Sequence, residues 1–579
     1  MPRTPRTLPQ LARDTILILA IALPAMTHAQ TPPADAAAQG LLRQQQRQRQ
    51  AQALLGSGPD QLRAGGAAPP DLRHLPREAP CFVVSSIRLR GARARRLSWL
   101  RHDLRPVLGQ CVGVQGLDRI ATALDAHLIA LGYATSRVSF PPQDLRRGVL
   151  RIHLDVGTIA AIRIEDAQGR PDSAWGTWRN AFPTGAGDIL NIRDLEQGIE
   201  QMDRLQSQAV HTNLVPGPAP NTSVVVIQRR EAAPLGRLHG GVTLDNSGSR
   251  LLGRPELSMA LSYDNPLGLN DIVSLSANTN VENPDPAHRS QSAGLSYSIP
   301  WGYTLLSLSA QYLRFAQMVQ GTSVQFLSSG VTRTQQVRLD ATIWRTASTK
   351  VGAFGALLAR QSKAWLDDVE LVVQRRRTVD LDTGVDFTTA LPGAGRVSGS
   401  LDYRQGLAGL GAQADLPTAA QGGLTVRPRI TSASLSWTQP FEAGGGHWQY
   451  ALSLRGQTTP DTLVTEDQFV IGDRSTVRGF DGNAVLEAEN GYVLRNDLAR
   501  QVALLPGWST AAYLGLDLGR VWGPSAANLA GTRLAGAALG LKGQHGHLQF
   551  DLALATPLEQ PAALRSQALN LYASATVAF

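Results

Sequence analysis

The sequence predicts a mainly β membrane protein, a transmembrane β-barrel of about sixteen strands preceded by two small α+β units. Three observations lead there. From Leu238 to Phe579 apolar residues recur at every second position, the period of a strand with one face in lipid and the other in water. No apolar run after the first residues reaches the roughly 18 that a spanning helix needs. Whatever crosses a bilayer must therefore cross as a closed barrel, in which every backbone polar group is paired. Ahead of the barrel, two stretches mix strand and helix periods.

The first residues set the compartment. Arg3, Arg6 and Arg13 precede an apolar run from Ile16 to Met26, and Thr27-His-Ala29 supplies the small residues of a cleavage site, so residues 1–29 read as a secretory signal peptide. With 43% apolar and 17% charged residues, a net charge of +9 and 56 Gly among 579 residues, the chain has material for several folded units and is no disulfide-dense mini-scaffold. Cys81 and Cys111 lie in an exported chain without C-x-x-C or a nearby Cys/His cluster, and are expected to form one disulfide. No metal site is expected, since His545-Gly-His547 places two His on one strand without further ligands. Asn221-Thr-Ser223 fits the glycosylation pattern, but a bacterial-type barrel does not meet that machinery.

Residues 30–56 are polar and low in complexity, with a Gln/Arg-rich core from Leu41 to Leu55. Ala, Gln and Arg favour helix, yet too few apolar positions remain for a core helix, so the segment lies against something polar or stays mobile. Residues 57–79, rich in Gly, Pro and Ala, read as a linker. The first α+β unit, residues 80–157, has a strand at Ile87/Leu89 and a helix with Ile120, Leu124, Leu128 and Leu131 on one face, closed by Gly132. Strands at Val138/Phe140 and Leu150/Ile152/Leu154/Val156 follow. Residues 81–157 hold twelve Arg and five Asp with no Lys or Glu, a net charge of +7. Export argues against nucleic acid as the partner of that charge; an acidic polypeptide, an anionic surface or a solvated face remain. The second unit, residues 158–233, repeats the plan with Ile162/Ile164, a helix through Leu195, Ile199 and Met202, and a strand from Val224 to Ile227.

Residues 234–579 form the expected barrel. Leu306/Leu308/Ala310/Tyr312 and Val337/Leu339/Ala341/Ile343 alternate with Ser, Gln, Arg and Asp, and Asp264-Asn-Pro266 and Pro300-Trp-Gly302 mark turns. One connection, 458–490, is far too long for a hairpin turn. Its core, Val477-Arg478-Gly479-Phe480, sets a long cation and an aromatic on either side of a glycine, the residue that tolerates backbone angles others cannot. Down-chain, Leu514, Leu516 and Leu518 suit lipid, while Tyr513, Gly515, Asp517 and Gly519 suit a lumen. The glycines on either side of Asp517 leave room for an incoming arginine, which we assign to Arg478.

A V-R-G-F tip followed by an x-D-x-G strand resembles the POTRA-and-barrel superfamily of outer-membrane protein translocators. The remaining motifs resemble its two-partner secretion transporters, of the haemolysin-activator and filamentous-haemagglutinin-transporter type (TpsB). Gly132-Tyr133, Gln143-Asp-Leu-Arg-Arg-Gly-Val-Leu150 and the Cys pair look like that family's first POTRA domain, and Leu190 to Leu205 resembles its second POTRA helix. Asp245-Asn246, Asp264-Asn-Pro-Leu-Gly-Leu-Asn-Asp271 and Gln374-Arg-Arg376 look like family barrel positions. Two POTRA units, rather than the five usual in the central barrel-assembly factor, favour the secretion branch.

The resemblance implies sixteen barrel strands, with Asp517 on the thirteenth and Arg478 in the loop between the eleventh and twelfth. It implies a helix over 30–56 that plugs the lumen, the other reading being a disordered leader. Phe579 would be the C-terminal assembly signal, with no domain after it. The implied place is the outer membrane of a Gram-negative bacterium, with the POTRA domains in the periplasm. There they would bind a large secreted β-helical exoprotein through Tyr133, Gln143, Asp144, Leu145, Arg193 and Asp194, by adding unfolded cargo as a strand to an open sheet edge. Other implied partners are the barrel-assembly machinery, periplasmic chaperones and outer-membrane lipid, but no nucleic acid. Cargo would leave through the pore without ATP.

No cofactor is expected and no enzyme, because the chain has no phosphate-binding glycine loop and no G-x-S-x-G. The rival readings are an assembly or insertase factor of the same superfamily and a specific porin or nutrient receptor. The latter needs neither the Arg478 tip nor a POTRA pair. Haemolysin, adhesin and contact-dependent toxin exporters look alike at this level.

Overall fold

The structure, a computed structural model, describes residues 61–579 apart from 64–69, 173–174, 249–252, 283–284, 321–323 and the single positions 484, 505 and 565. The signal peptide and the 30–56 segment, with its plug reading, lie outside the described residues.

In the first unit a three-stranded sheet runs in the order Ser86–Arg90, Val149–Asp155, Arg137–Ser139. The first pair is parallel and the second antiparallel. Helix α1 (Val114–Ala130) buries Ile120, Leu124 and Leu128 in the unit's core. Leu131, expected on the same face, is exposed because the helix ends there. Gly132 takes a φ of 97° and donates to the Ile129 carbonyl, while the Tyr133 N–H donates to the Leu128 carbonyl. These two bonds satisfy the last carbonyls of the helix, and the left-handed backbone between them favours glycine. A Cβ on Gly132 would also overlap the Asn191 side chain of the second unit, whose Ile192 N–H donates to the Gly132 carbonyl at 2.8 Å. One glycine thus stops the helix and seats the next unit.

Leu72, within the expected linker, is buried in the first unit's core, and Leu75 packs against it. The linker is anchored there because these two leucines find apolar cover.

Cys81 and Cys111 are bridged. Full-length chain denatured without reductant is expected to show no maleimide-reactive thiol, and labelling of either cysteine would contradict this. Removing the bridge is expected to destabilise the first unit by roughly 2–4 kcal/mol while leaving barrel assembly intact, as read by heat-modifiable migration.

The second unit orders its strands Thr158–Glu165, Thr222–Glu231, Gln208–Pro216, and helix α2 (Ile192–Asp203) buries Leu195, Ile199 and Met202. The strand Gln208–Pro216 was not anticipated, because its Gln, His, Thr and Asn dilute the apolar period. Helix α2 also hides a polar face, on which Gln197, Glu200 and Gln201 are buried. That face docks on the barrel. Both Gln197 and Gln201 donate to the Gly302 carbonyl, and Arg345 reaches Glu200 Oε1 and Oε2 at 2.7 and 2.8 Å. The Arg345 side chain is 2% exposed, and without Glu200 its nearest carboxylate is Glu196 at 3.8 Å, a change worth up to roughly 3–5 kcal/mol. Glu200→Ala is therefore expected to speed amide exchange across α2 and the Trp301–Thr304 turn in detergent-solubilised full-length chain. Unchanged exchange would show the seam is held elsewhere.

Among the described residues sixteen long strands, from Leu238–Asp245 to Asn570–Ala578, close antiparallel into the barrel. The last pairs with the first over Ser574–Ala578, and Phe579 exchanges two 2.9 Å backbone bonds with Gly240. No helix among the described residues is long and apolar enough to cross a membrane; the strands cross. On the thirteenth strand, Ser509–Trp522, Leu514 and Leu516 are 48% and 50% exposed while Tyr513 and Asp517 are 9% and 4%. The former face lipid and the latter the lumen. The second unit sits at the end with short turns, such as Gly302-Tyr303, which is the periplasmic end of such barrels. The long connections lie opposite.

Candidate functional site

The longest connection leaves the eleventh strand, Gly446–Thr458, and rejoins the wall at the twelfth, Asn490–Val502. Between them Phe469–Ile471 pairs antiparallel with Leu486–Ala488, a short stem that carries the tip inward. Asp473 shapes the tip by accepting from the N–H groups of Ser475 and Thr476, both at 2.8 Å. Val477 and Phe480, at 0% and 1% exposure, are buried with Ile471, Leu486, Val521 and Leu534. Burying a Val or Phe side chain stabilises by roughly 1.5–3 kcal/mol, so the two residues flanking Arg478-Gly479 hold the tip by packing.

Arg478 then makes the directional contact. Its Nε donates to Asp517 Oδ2 and its Nη2 to Asp517 Oδ1, both at 2.6 Å, and its backbone N–H also donates to Oδ2 at 2.9 Å. This is the two-pronged guanidinium–carboxylate geometry, stronger and more selective than a single bond. The Arg478 and Asp517 side chains are 5% and 1% exposed, so the pair is shielded from water. Arg478 Nη1 also reaches Asp497 Oδ1 on the twelfth strand at 2.6 Å, and Arg495 Nε stands 3.9 Å from Asp517 Oδ1. Two carboxylates therefore face two arginines.

The wall is shaped to admit the tip. A Cβ on Gly515 would overlap the Arg478 guanidinium, one on Gly519 would lie 2.9 Å from Val477 Cγ2, and one on Gly536 of the fourteenth strand, Arg533–His545, would overlap the Arg478 carbonyl oxygen. Gly479 has a φ of 103°, and a Cβ there would stand 2.5 Å from the Thr556 carbonyl oxygen. Its N–H donates to the Tyr572 hydroxyl at 3.0 Å, and its carbonyl accepts from Asn570 Nδ2 at 2.7 Å. Tyr572 Oη donates onward to the Phe480 carbonyl. The N–H groups of Arg478 and Gly479 and the carbonyls of Gly479 and Phe480 are thus paired inside the barrel, as burial demands.

Gly536, Asp497, Asn570 and Tyr572 were missed in the sequence. They come from three strands besides the thirteenth, and only the closed register brings them to the tip.

The six residues assigned to cargo have other partners. Gln143 bonds both backbone groups of Arg151, with Oε1 accepting at 2.7 Å and Nε2 donating at 2.8 Å, and so extends the sheet where the Arg137–Ser139 strand stops. Asp144 caps a turn through the Arg146 N–H, Leu145 is buried in the core, and Tyr133 packs on that core beside Trp99. Arg193 pairs with Glu196 at 2.6 Å. Asp194 receives the Tyr303 hydroxyl from the barrel, and burial raises its pKa against the lowering effect of that bond. Local turn and seam contacts thus engage these side chains in the chain by itself. Among the described residues no group of three His, Cys, Asp or Glu is placed to hold a metal ion.

Comparison with known proteins gives consistent matches. The family described as Haemolysin secretion/activation protein ShlB/FhaC/HecB matches residues 221–543, a POTRA domain matches 158–216 and a ShlB-type POTRA domain matches 82–157. Outer membrane transporter CdiB-2 of Burkholderia pseudomallei is 37% identical over 506 residues, 84% of each chain. Hemolysin transporter protein ShlB of Serratia marcescens is 28% identical over 459 residues, 78% of each chain. The solved structure of CdiB from Escherichia coli superposes with a TM-score of 0.79 at 30% identity, covering 96% of this chain and 100% of that one.

Proposed function

Because the chain belongs to the ShlB/FhaC/HecB family of two-partner secretion transporters in the outer membrane, we propose that it captures an unfolded partner exoprotein in the periplasm and passes it through its barrel. The loop tip, held to the wall by Arg478 and Asp517, carries this reading, since it is a built element inside the path cargo would take. The cargo is a large β-rich exoprotein, and its folding outside makes return unfavourable, so no nucleotide is consumed and no catalytic step is assigned.

Capture proceeds by strand addition at an open sheet edge. Two outer strands support this reading, Ser86–Arg90 in the first unit and Gln208–Pro216 in the second, where Leu214 and Val215 are exposed. Periplasmic chaperones and the barrel-assembly machinery act on the chain during its biogenesis, with Phe579 as the recognition signal. The test is reconstitution of purified full-length chain in liposomes, with an unfolded β-repeat exoprotein added. Protease protection of the exoprotein without nucleotide is expected. A requirement for ATP, or no protection, would overturn the reading.

A further inference from the structure

The apolar outer wall of the barrel ends differently at its two rims. At the periplasmic rim Trp301 and Trp344 stand 74% and 54% exposed, the aromatic edge usual at a membrane interface. At the opposite rim of the fifth to eighth strands (Thr304–Gln320, Gln325–Arg345, Thr349–Leu366 and Arg376–Leu391) the outward-facing positions turn basic. Arg314 shares parity with exposed Leu308 and Tyr312, Arg333 with Val337 and Leu339, Lys363 with Leu357, and Arg377 with Leu381 and Val385. Each of the four strands therefore carries a cation among its outward-facing positions toward this rim.

Register places these cations in two neighbouring rows. Arg314 lies opposite Val331, which lies opposite Lys363. In the other row Tyr312 faces Arg333, Arg333 faces Gln361, and Gln361 faces Arg377. Strands about 4.8 Å apart put all four within a patch about 15 Å across. Their partners are neutral. Arg314 Nε donates to Gln291 Oε1 at 2.7 Å, and the Arg333 guanidinium lies 5.9 Å from the Tyr312 ring centroid. Glu370, whose field reaches Lys363, is itself bound by Arg375 at 2.8 Å. Among the described residues none of the four has an ion-pair partner. On the far side of the barrel the same rim sets Arg520 and Arg533 directly opposite each other, both exposed. Like charges placed so destabilise a sheet unless an anion lies between them.

We propose that this rim is a binding surface for a phosphorylated lipid of the outward-facing leaflet. Its acyl chains lie on the apolar band and its phosphates between Arg314, Arg333, Lys363 and Arg377. Guanidinium groups bind phosphate oxygens in pairs, and the band below supplies what a free phosphate does not use. The proposal is independent of what passes through the lumen.

Native mass spectrometry of detergent-solubilised full-length chain tests it, with diphosphoryl lipid A, the same lipid stripped of its phosphates, and inorganic phosphate as probes. The phosphorylated lipid is expected to bind roughly tenfold or more tightly than the stripped one. That preference should weaken with salt, disappear in R314Q/R333Q/K363Q/R377Q, and survive in R314K/R333K/R377K. Equal binding of the two lipids to the unaltered chain would overturn the proposal, and this needs no variant to fold. So would a preference that survives the glutamine variant, or displacement of the lipid by inorganic phosphate at comparable concentration.

Discussion

Removing the Arg478 or the Asp517 side chain is expected to cut secretion on the order of tenfold or more, while the barrel still inserts and stays heat-modifiable. An exposed ion pair is worth only ~0–1 kcal/mol, and losing one would not matter. This pair is shielded from water and joined by three hydrogen bonds, so truncating one member strips the other, still buried, of its main partner, at up to roughly 3–5 kcal/mol. The two losses differ in what remains. Asp517→Ala leaves Arg478 its 2.6 Å contact to Asp497, whereas Arg478→Ala leaves Asp517 the backbone N–H of residue 478 and no cation nearer than Arg495 at 3.9 Å. Arg478→Ala is therefore the more damaging, and Arg478→Lys restores part of the function, because lysine keeps the charge without the planar fork. Exoprotein in the medium, normalised to inserted barrel, is the readout; full secretion by Arg478→Ala would contradict the argument.

Gly536→Val is expected to abolish secretion as completely, although it removes neither charge. Its side chain would occupy the space of the Arg478 carbonyl oxygen, and both sides of that contact are backbone, so neither can swing aside. Overpacking of this kind costs typically 1–3 kcal/mol even where side chains can yield. The tip should leave the wall and expose residues 472–485 to protease on intact cells. Gly355→Ala is the matched control, since a Cβ there meets nothing within 4 Å and secretion should not change. A protected tip and normal secretion in Gly536→Val would show that the fourteenth strand does not seat the loop.

The barrel was legible because lipid on one face and water on the other impose a period of two on each strand, and Leu514, Leu516 and Leu518 face outward as that period requires. Arg478 and Asp517 were legible as a pair because a lone lumen carboxylate between two glycines needs both charge and space to be filled. The rest of the site was not legible. Tyr572 and Asn570 are ordinary barrel residues until the last strand closes beside the first, and Asp497 gains meaning only from register. The residues read as a cargo face stand out in the sequence for structural reasons as well. Gln143 and Asp144 stand out in the sequence because a turn needs them, and Asp194 because the barrel lies against it. Leu72 was absorbed into the linker because a single leucine among Pro and Arg carries no period.

The central claim is that Arg478 and Asp517 act as one contact between tip and wall, and a double-mutant cycle on secretion tests it most directly. If they do, Arg478→Ala/Asp517→Ala secretes about as much as the worse single variant, because the second truncation removes a partner already lost, and the coupling reaches the roughly 0.5–3 kcal/mol seen for residues in contact. If the two losses instead multiply, with no coupling, the residues act separately and the tip works by some other means than this pair.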